Sequence, residues 1–329
     1  AVLSKYCDNK DYVESLIRES KILVRNPRLE VFLCRILVTE MLFGAKKLIG
    51  KSKPVSCVLS YKEAFLKLMD SERVFQFEKA LPRYVRLNTN ILNMVDVTHT
   101  LERNGWKCKK KTFADYGEYL DDLNYLKDDE YMFDMHVGNL LAFSPKTRNY
   151  WAQNDLVKRK WFLLQDKATC FVAQLLAPPP NSIVLDTCAA PGMKTVHLAN
   201  LMLNRGRIYA VEKSKKRFAL LKEMLVRTQT TIVQAINADI LRIESKDVPN
   251  VQYVLVDPSC SGSGLYTRVS LLAGEHENET RRLQRLSLFQ VKILTHIMIS
   301  FPNVKKIVYS TCSVRQEENE QVIIRALRE

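Results

Sequence analysis

The strongest constraint on the fold is a regular alternation of short apolar segments and charged helical segments beyond about Tyr150. The apolar segments are rich in β-branched residues, and they predict strands at Ile183–Leu185, Ile208–Val211, Thr231–Gln234, Tyr253–Val256 and Lys306–Tyr309. Such alternation predicts a parallel, doubly wound sheet covered by helices. Ligands of this architecture bind beyond the carboxyl ends of the strands, so the residues that follow each strand are the first candidates for chemistry.

The first half of the chain has a different pattern of apolar residues. From Tyr12 to Met69 apolar residues recur at helical spacing, which predicts an all-helical segment. At Leu81 the chain begins to alternate as a strand does, and a helical run from Leu92 to Asn104 follows. We therefore predict three domains, a helical one over 1–78, a small α/β one over 79–150 and a larger one over 151–329.

The charge of the chain suggests a polyanionic partner. The formal net charge is +14 and the isoelectric point is near 9.3, which would attract nucleic acid but also suits a merely soluble basic protein. In the strand at Leu81, two cations flank an aromatic ring, a pairing suited to RNA phosphate and base contacts, at Arg83, Tyr84 and Arg86. An ordinary half-buried strand is the alternative for these three residues.

The cysteines and the apolar segments exclude several other classes. None of the eight cysteines forms a C-x-x-C pair, which argues against a zinc site, and we expect no metal. No signal-peptide pattern is present, so we expect reduced thiols. Charged residues interrupt every apolar stretch well before bilayer length, so we expect no membrane partner.

Four acids follow four consecutive predicted strands, namely Asp186, Glu212, Asp239 and Asp257. Carboxylates at these places suit a nucleoside, and they suit cationic S-adenosylmethionine better than a diphosphate. The loop after Asp186 is a run of small residues that lets a ligand approach the backbone. It has one glycine, Gly192, and lacks the spacing of a dinucleotide-binding or P-loop motif.

Two cysteines follow two of the predicted strands, Cys260 in Asp257-Pro-Ser-Cys and Cys312 in Tyr309-Ser-Thr-Cys. A single cysteine in an apolar fold is usually a small buried hydrophobe, and we interpret Cys34, Cys57 and Cys170 in that way. Two thiols beside a predicted cofactor site instead indicate covalent chemistry.

These motifs resemble the Nol/Nop/Sun family of RNA cytosine-C5 methyltransferases, and especially its fifth Sun-domain member in animals. The resemblance runs from the strand at Leu81 through Gln165-Asp166-Lys167-Ala168-Thr169 and both cysteine segments to Glu317-Glu-Asn-Glu320. It implies a Rossmann-like, S-adenosylmethionine-dependent domain with a mixed, mostly parallel, seven-stranded sheet. A helical segment and a small RRM-like α/β domain that binds RNA would precede it.

The resemblance also implies roles for individual residues. Cys312 is the nucleophile, Cys260 assists product release, and Asp257 and Lys194 face the target base. The expected cofactor contacts are Cys188, Ala189, Ala190, Pro191, Gly192, Met193, Lys194, Glu212, Arg217, Asp239 and Asp257. Met193 and Ser259 depart from the glycine and proline usual in the family. Because DNA cytosine methyltransferases carry their nucleophile after the fourth strand, Cys260 remains the alternative nucleophile.

Three functional alternatives stay open at this point. The chain could be a noncatalytic RNA-binding factor of ribosome assembly, a methyltransferase acting on transfer RNA, or a small-molecule methyltransferase, the last disfavoured by charge and by the large N-terminal half. The resemblance favours large-subunit ribosomal RNA as substrate, location in the nucleus and nucleolus, and a monomer.

Overall fold

The computed structural model describes residues 2–50, 52–70, 81–110, 112–265 and 276–329. These residues divide into two compact units. The first contains the described residues up to 70 together with Leu265, and the second contains 81–110, 112–264 and 276–329. Over the described residues, no helix is both long and apolar enough to cross a bilayer.

The first unit is helical, as the spacing of its apolar residues predicts. Its helices are α1 (Val2–Asp8), α2 (Lys10–Ser20), α3 (Ile22–Arg25), α4 (Val31–Leu42), α5 (Lys53–Ser60) and α6 (Lys62–Asp70). Glu30 caps α4, because its carboxylate accepts hydrogen bonds from the first backbone N–H groups of the helix. Cys34 is fully buried in the apolar core of this unit, and the half-buried Cys57 packs against that core.

The second unit contains two sheets. The first consists of β1 (Arg83–Leu87), β2 (Lys107–Lys110), β3 (Glu130–Phe133), β4 (Leu140–Phe143) and β5 (Phe162–Leu164), in the order β2-β3-β4-β1-β5. Its helices are α7 (Met94–Arg103), α8 (Tyr116–Asn124), α9 (Arg148–Gln153) and α10 (Asp155–Lys158). Strand β1 pairs antiparallel with both β4 and β5.

This sheet differs from the RRM-like arrangement that the resemblance implies. It has five strands where an RRM has four, because β5 adds to the free edge of β1. Strand β5 also lies beyond residue 150, so the predicted domain boundary falls inside the second unit and before the last strand of its first sheet.

The second sheet consists of β6 (Ile183–Asp186), β7 (Arg207–Val211), β8 (Val233–Ile236), β9 (Tyr253–Val256) and β10 (Lys306–Tyr309). Its order is β10-β9-β6-β7-β8, and every neighbouring pair is parallel. The helices that accompany it are α11 (Lys167–Leu176), α12 (Met193–Leu201), α13 (Lys215–Arg227), α14 (His276–Ser300) and α15 (Glu320–Ala326). The predicted parallel, doubly wound architecture is confirmed.

The implied seven-stranded mixed sheet is not found in the described part of the chain, where this sheet has five parallel strands. One physical reason is that β5 hydrogen-bonds to β1 in the other sheet. Strand order reverses at β6, between β9 and β7, and this is where such sheets open a binding crevice at their carboxyl edge.

Candidate active site

The loop between β6 and α12 leaves the carboxyl edge of the sheet at this reversal of strand order. Asp186 is buried and accepts a hydrogen bond of 2.7 Å from Thr195 Oγ1. Burial raises the pKa of Asp186 to about 7, so this carboxyl holds the loop and is poorly placed to act as a free anion. Gly192 has a φ of +109°, and a Cβ there would lie 3.1 Å from Leu221 Cδ1.

The acids after β7 and β8 lie in a network of cations and amides. Glu212 is buried and lies 3.5 Å from Arg217 Nη1, while Arg217 Nη2 donates a 2.5 Å hydrogen bond to the Ala190 carbonyl. Lys213 pairs with Asp239 at 2.7 Å and, chiefly through this hydrogen bond, lowers the pKa of Asp239. This donor and acceptor set at the carboxyl edge fits a nucleoside with a cationic substituent.

The remaining residues of the predicted cofactor loop vary in exposure. Ala189, Ala190 and Gly192 are buried, Cys188, Met193 and Lys194 are half-buried, and Pro191 is exposed. Burial raises the pKa of Cys188 to about 12, so this thiol stays protonated and contributes bulk without charge.

The two cysteines at the exits of β9 and β10 come together. Cys260 Sγ and Cys312 Sγ are 2.9 Å apart, and the Cys312 backbone N–H donates to Cys260 Sγ at 3.3 Å. Burial, followed by the hydrogen bond and the charge of Cys260, raises the pKa of Cys312 to about 11. Cys312 is the more exposed of the two thiols, so it is the one that a substrate reaches more easily.

Lys194 and Asp257 lie at the same edge of the sheet. Lys194 Nζ is 2.6 Å from Asp257 Oδ2, and the Ser310 hydroxyl donates a 2.7 Å hydrogen bond to Asp257 Oδ1. Both oxygens of Asp257 therefore have partners that fix the orientation of the carboxylate, although both charged side chains remain partly open to solvent.

Glu318 is a supporting residue to which the sequence pattern gave no role. It is fully buried, and its Oε1 accepts from the Ser261 backbone N–H at 2.8 Å and from Gln290 Nε2 at 3.0 Å. Burial alone would raise the pKa of Glu318, but hydrogen bonds from Ser261, Ser313 and Gln290 hold it below its ordinary value. Glu318 therefore ties the loop that carries Cys260 to the segment after β10.

The predicted RNA contact is wrong for Arg86. Its side chain is fully buried and donates to Gln165 Oε1 at 2.6 Å, to the Met193 carbonyl at 3.3 Å and to Asn200 Oδ1. A phosphate cannot reach a guanidinium enclosed in this way. Arg86 instead connects β1 to the first turn of α12 and so to the cofactor loop.

The other two residues of that strand remain candidates. Tyr84 is half-buried, with its hydroxyl 3.5 Å from that of Tyr119, and burial raises its pKa to about 12. Arg83 is also half-buried, and burial together with the charge of Arg148 lowers its pKa. RNA contact by Arg83 and Tyr84 stays a prediction.

We expect Arg86→Ala to destabilise the second unit by about 2–4 kcal/mol, because it leaves a cavity and strips several buried acceptors of their donor. Thermal unfolding of the whole protein measures the effect. Arg103→Ala is the matched control, since Arg103 is exposed at the end of α7. An equal unfolding midpoint for the two variants would contradict the structural role of Arg86.

Among the described residues, no group of three or more His, Cys, Asp or Glu side chains could hold a metal ion. This edge of the sheet carries two adjacent thiols, the ion pair of Lys194 and Asp257, and the acids Glu212 and Asp239 that follow β7 and β8.

Comparison with known proteins adds to this geometry. Residues 173–329 match the family described as 16S rRNA methyltransferase RsmB/F, and residues 81–155 match the ferredoxin-like domain of NOL1/NOP2/Sun domain family member 5. The chain is 45% identical to a 28S rRNA (cytosine-C(5))-methyltransferase of Drosophila melanogaster, over 99% of this chain and 75% of the relative. It is 33% identical to the Mus musculus protein of the same description, over 98% and 72% of the two chains.

Solved structures agree on the fold. The crystal structure titled NSun6 from Pyrococcus horikoshii with SFG aligns with a TM-score of 0.53 and 19% identity, over 91% of this chain and 87% of that one. A methyltransferase homologue from the same organism aligns with a TM-score of 0.52 and 23% identity, over 94% and 82%. The Rossmann-like methyltransferase fold is thereby confirmed, and so is the resemblance carried by the motifs. The chain belongs to the NOL1/NOP2/Sun domain family of RNA cytosine-C5 methyltransferases, in the group of its fifth member.

Proposed function

We propose that this protein methylates carbon 5 of a cytosine in large-subunit ribosomal RNA, with S-adenosylmethionine as methyl donor. The observation that carries the proposal is the pair of thiols of Cys260 and Cys312, 2.9 Å apart at the carboxyl edge of the sheet. The crevice with Glu212 and Asp239 lies at the same edge and suits the cofactor. The cofactor, when bound, supplies an electrophilic methyl group.

The residues of the chain prepare the base. Cytosine carbon 5 is a poor nucleophile until a thiolate adds to carbon 6. Cys312 gives up its proton to solvent, and its sulfur bonds carbon 6 while the electrons of the ring double bond move toward carbon 5 and N3. N3 takes up a proton from solvent in this step. Asp257, oriented by Lys194 and Ser310, accepts a hydrogen bond from that N–H and so stabilises it.

Release of the product reverses the addition. After carbon 5 has been alkylated, water takes its remaining proton, and the electrons of that C–H bond restore the ring double bond. The bond between carbon 6 and sulfur breaks, Cys312 leaves as thiolate, and N3 returns its proton to solvent. Cys260 lies against Cys312 Sγ and is placed to take part in this elimination. A noncatalytic RNA-binding protein has no need of two thiols in this arrangement, so the enzyme is the better proposal.

Several relatives point to the substrate. The matched proteins of fly and mouse are named for 28S rRNA, and that of Caenorhabditis elegans, 40% identical over 74% of this chain and 55% of the relative, for 26S rRNA. We therefore favour ribosomal over transfer RNA, and with it a place of action in the nucleus and nucleolus. Action as a monomer stays a prediction. Residues 1–78 and 79–150 would contribute to RNA binding and residues 151–329 to catalysis, in keeping with the net charge of +14.

The direct test is transfer of labelled methyl from S-adenosylmethionine to ribosomal and transfer RNA from cells that lack the modification, followed by nucleoside analysis. Label in 5-methylcytidine of the large ribosomal RNA is the expected result. Label in transfer RNA alone would overturn the choice of substrate. Binding of both cofactor and RNA without any transfer would overturn the enzymatic proposal.

The rate should depend on pH through Cys312. Because its pKa is about 11 in the free protein, only a small fraction is thiolate near neutrality, and thiolate is the reactive form. We expect kcat/KM to rise about tenfold for each pH unit between about pH 6 and pH 8.5, since this parameter reports ionisations of the free enzyme. A flat profile across this interval would contradict attack by a thiolate with so high a pKa.

A further inference from the structure

A cluster of aromatic rings around one lysine lies outside the site described above. The rings of Tyr116 and Tyr119 stack with centroids 5.8 Å apart and planes 14° apart. The His136 ring lies 5.3 Å from that of Tyr116 and 5.7 Å from that of Phe171. Lys167 Nζ is 4.4 Å from the Tyr119 centroid and 5.5 Å from the Tyr116 centroid, within the range of cation–π attraction.

The buried side of this cluster is held in place by Asp134, whose own side chain is buried. It accepts hydrogen bonds from the Tyr119 hydroxyl at 2.6 Å and from the backbone N–H groups of His136 and Val137, each at 2.9 Å. It also pairs with Lys167 at 2.7 Å. With so many partners, Asp134 holds Tyr119 and Lys167 in place without help from the solvent-exposed rings of the cluster.

Two rings of the cluster, those of Tyr116 and His136, are open to solvent. Tyr116 is 49% exposed at the first residue of α8, and His136 is exposed beside it. Lys167 Nζ lies 3.0 Å from His136 Nδ1, and an ammonium can only donate. Nδ1 is therefore the acceptor, and in the neutral imidazole Nε2 carries the proton. The cluster thus offers an exposed aromatic ring and a ring N–H donor.

The direction of α11 places this cluster at the catalytic edge. Lys167 is the first residue of α11, which leads into β6 and packs against β9 and β10. A helix that precedes a strand of a parallel sheet runs opposite to that strand, so its first residues lie near the carboxyl ends of the strands. In agreement, the charges of both Asp134 and Lys194 affect the pKa of Cys170, which lies one turn into α11.

We propose that Tyr116 and His136 form a stacking site for an unpaired base of the RNA substrate, near the target cytosine. The proposal rests on the proposed function, because it assigns this surface to the same substrate. Single-stranded RNA is recognised by stacking of splayed bases on exposed aromatic and histidine rings and by hydrogen bonds to base edges. Tyr116 supplies the ring, and His136 Nε2–H supplies a donor for a base edge.

Binding of a short single-stranded RNA to the whole protein, followed by fluorescence anisotropy, tests the proposal. We expect Tyr116→Ala to raise the Kd roughly 5- to 100-fold, the range found for loss of one stacked base. Tyr116→Trp should restore tight binding, because it keeps an aromatic face. Tyr125→Ala is the matched control, since Tyr125 follows the other end of α8 and is 76% exposed.

Equal Kd values for Tyr116→Ala and Tyr125→Ala would overturn the stacking site. An effect of Tyr116→Ala that is as large on fully duplex RNA would overturn it too, because paired bases are not available for stacking. The binding measurement needs no methyl donor, so it is independent of turnover. If the wild-type protein transfers no methyl to RNA yet Tyr116→Ala weakens binding, the proposed function fails while the stacking site stands.

Discussion

Cys312→Ala removes methyl transfer to RNA, lowering the single-turnover rate by at least about 1,000-fold, as expected when a catalytic nucleophile is lost. The reason is that without a sulfur bonded to carbon 6 the cytosine ring cannot attack an electrophilic methyl group. Transfer of labelled methyl under saturating RNA and S-adenosylmethionine measures the loss.

The controls separate chemistry from folding. Binding of S-adenosylmethionine by calorimetry should be unchanged in Cys312→Ala, because the thiol acts on the base. Cys57→Ala is the matched thiol deletion in the helical unit, where Cys57 is half-buried, and it should keep full turnover. Undiminished turnover in Cys312→Ala, together with an inactive Cys260→Ala, would contradict this assignment. It would show that Cys260 is the nucleophile and that Cys312 is not.

Cys260→Ala has the second large effect, accumulation of protein covalently bound to RNA. Cys312 can still add to carbon 6, but the residue placed to assist elimination is gone, so the adduct persists. Denaturing electrophoresis with labelled RNA detects it as a band of reduced mobility that resists detergent and heat.

The double variant Cys260→Ala with Cys312→Ala is the control for this adduct. It keeps both loops but lacks the attacking sulfur, so no resistant band should form. Absence of the band in Cys260→Ala, under conditions in which the wild type turns over, would show that Cys260 has no part in release.

The parallel sheet could be predicted closely because its strands are short apolar runs between charged segments. Tyr253–Val256 and Lys306–Tyr309 have the bounds that the pattern gives. The third strand begins two residues later than predicted, at Val233. Thr231 is excluded because its backbone N–H bonds to Asn204 Oδ1 rather than to a neighbouring strand, and no local periodicity reveals such a contact.

The catalytic edge could be predicted for a similar reason, since every strand of a parallel sheet ends on the same side. Cys260 and Cys312 therefore meet although 52 residues separate them. Arg86 could not be predicted in the same way. Its partners Gln165 and Asn200 lie 79 and 114 residues away, and strand alternation does not tell which face of a strand another element will cover.

The hydrogen bonds that join the two sheets of the second unit have a consequence for the choice of nucleotide. Arg86 of β1 donates to the Met193 carbonyl at the start of α12, and Asn88, directly after β1, donates to the Thr228 carbonyl at the end of α13. The first sheet is thus bonded to two helices of the second. Any RNA held by the first sheet is then held at a set distance from Cys312. The enzyme would then select its target by distance. Of many chemically identical cytosines, it would methylate the one whose spacing from the bound stretch of RNA brings it to the Cys312 thiol.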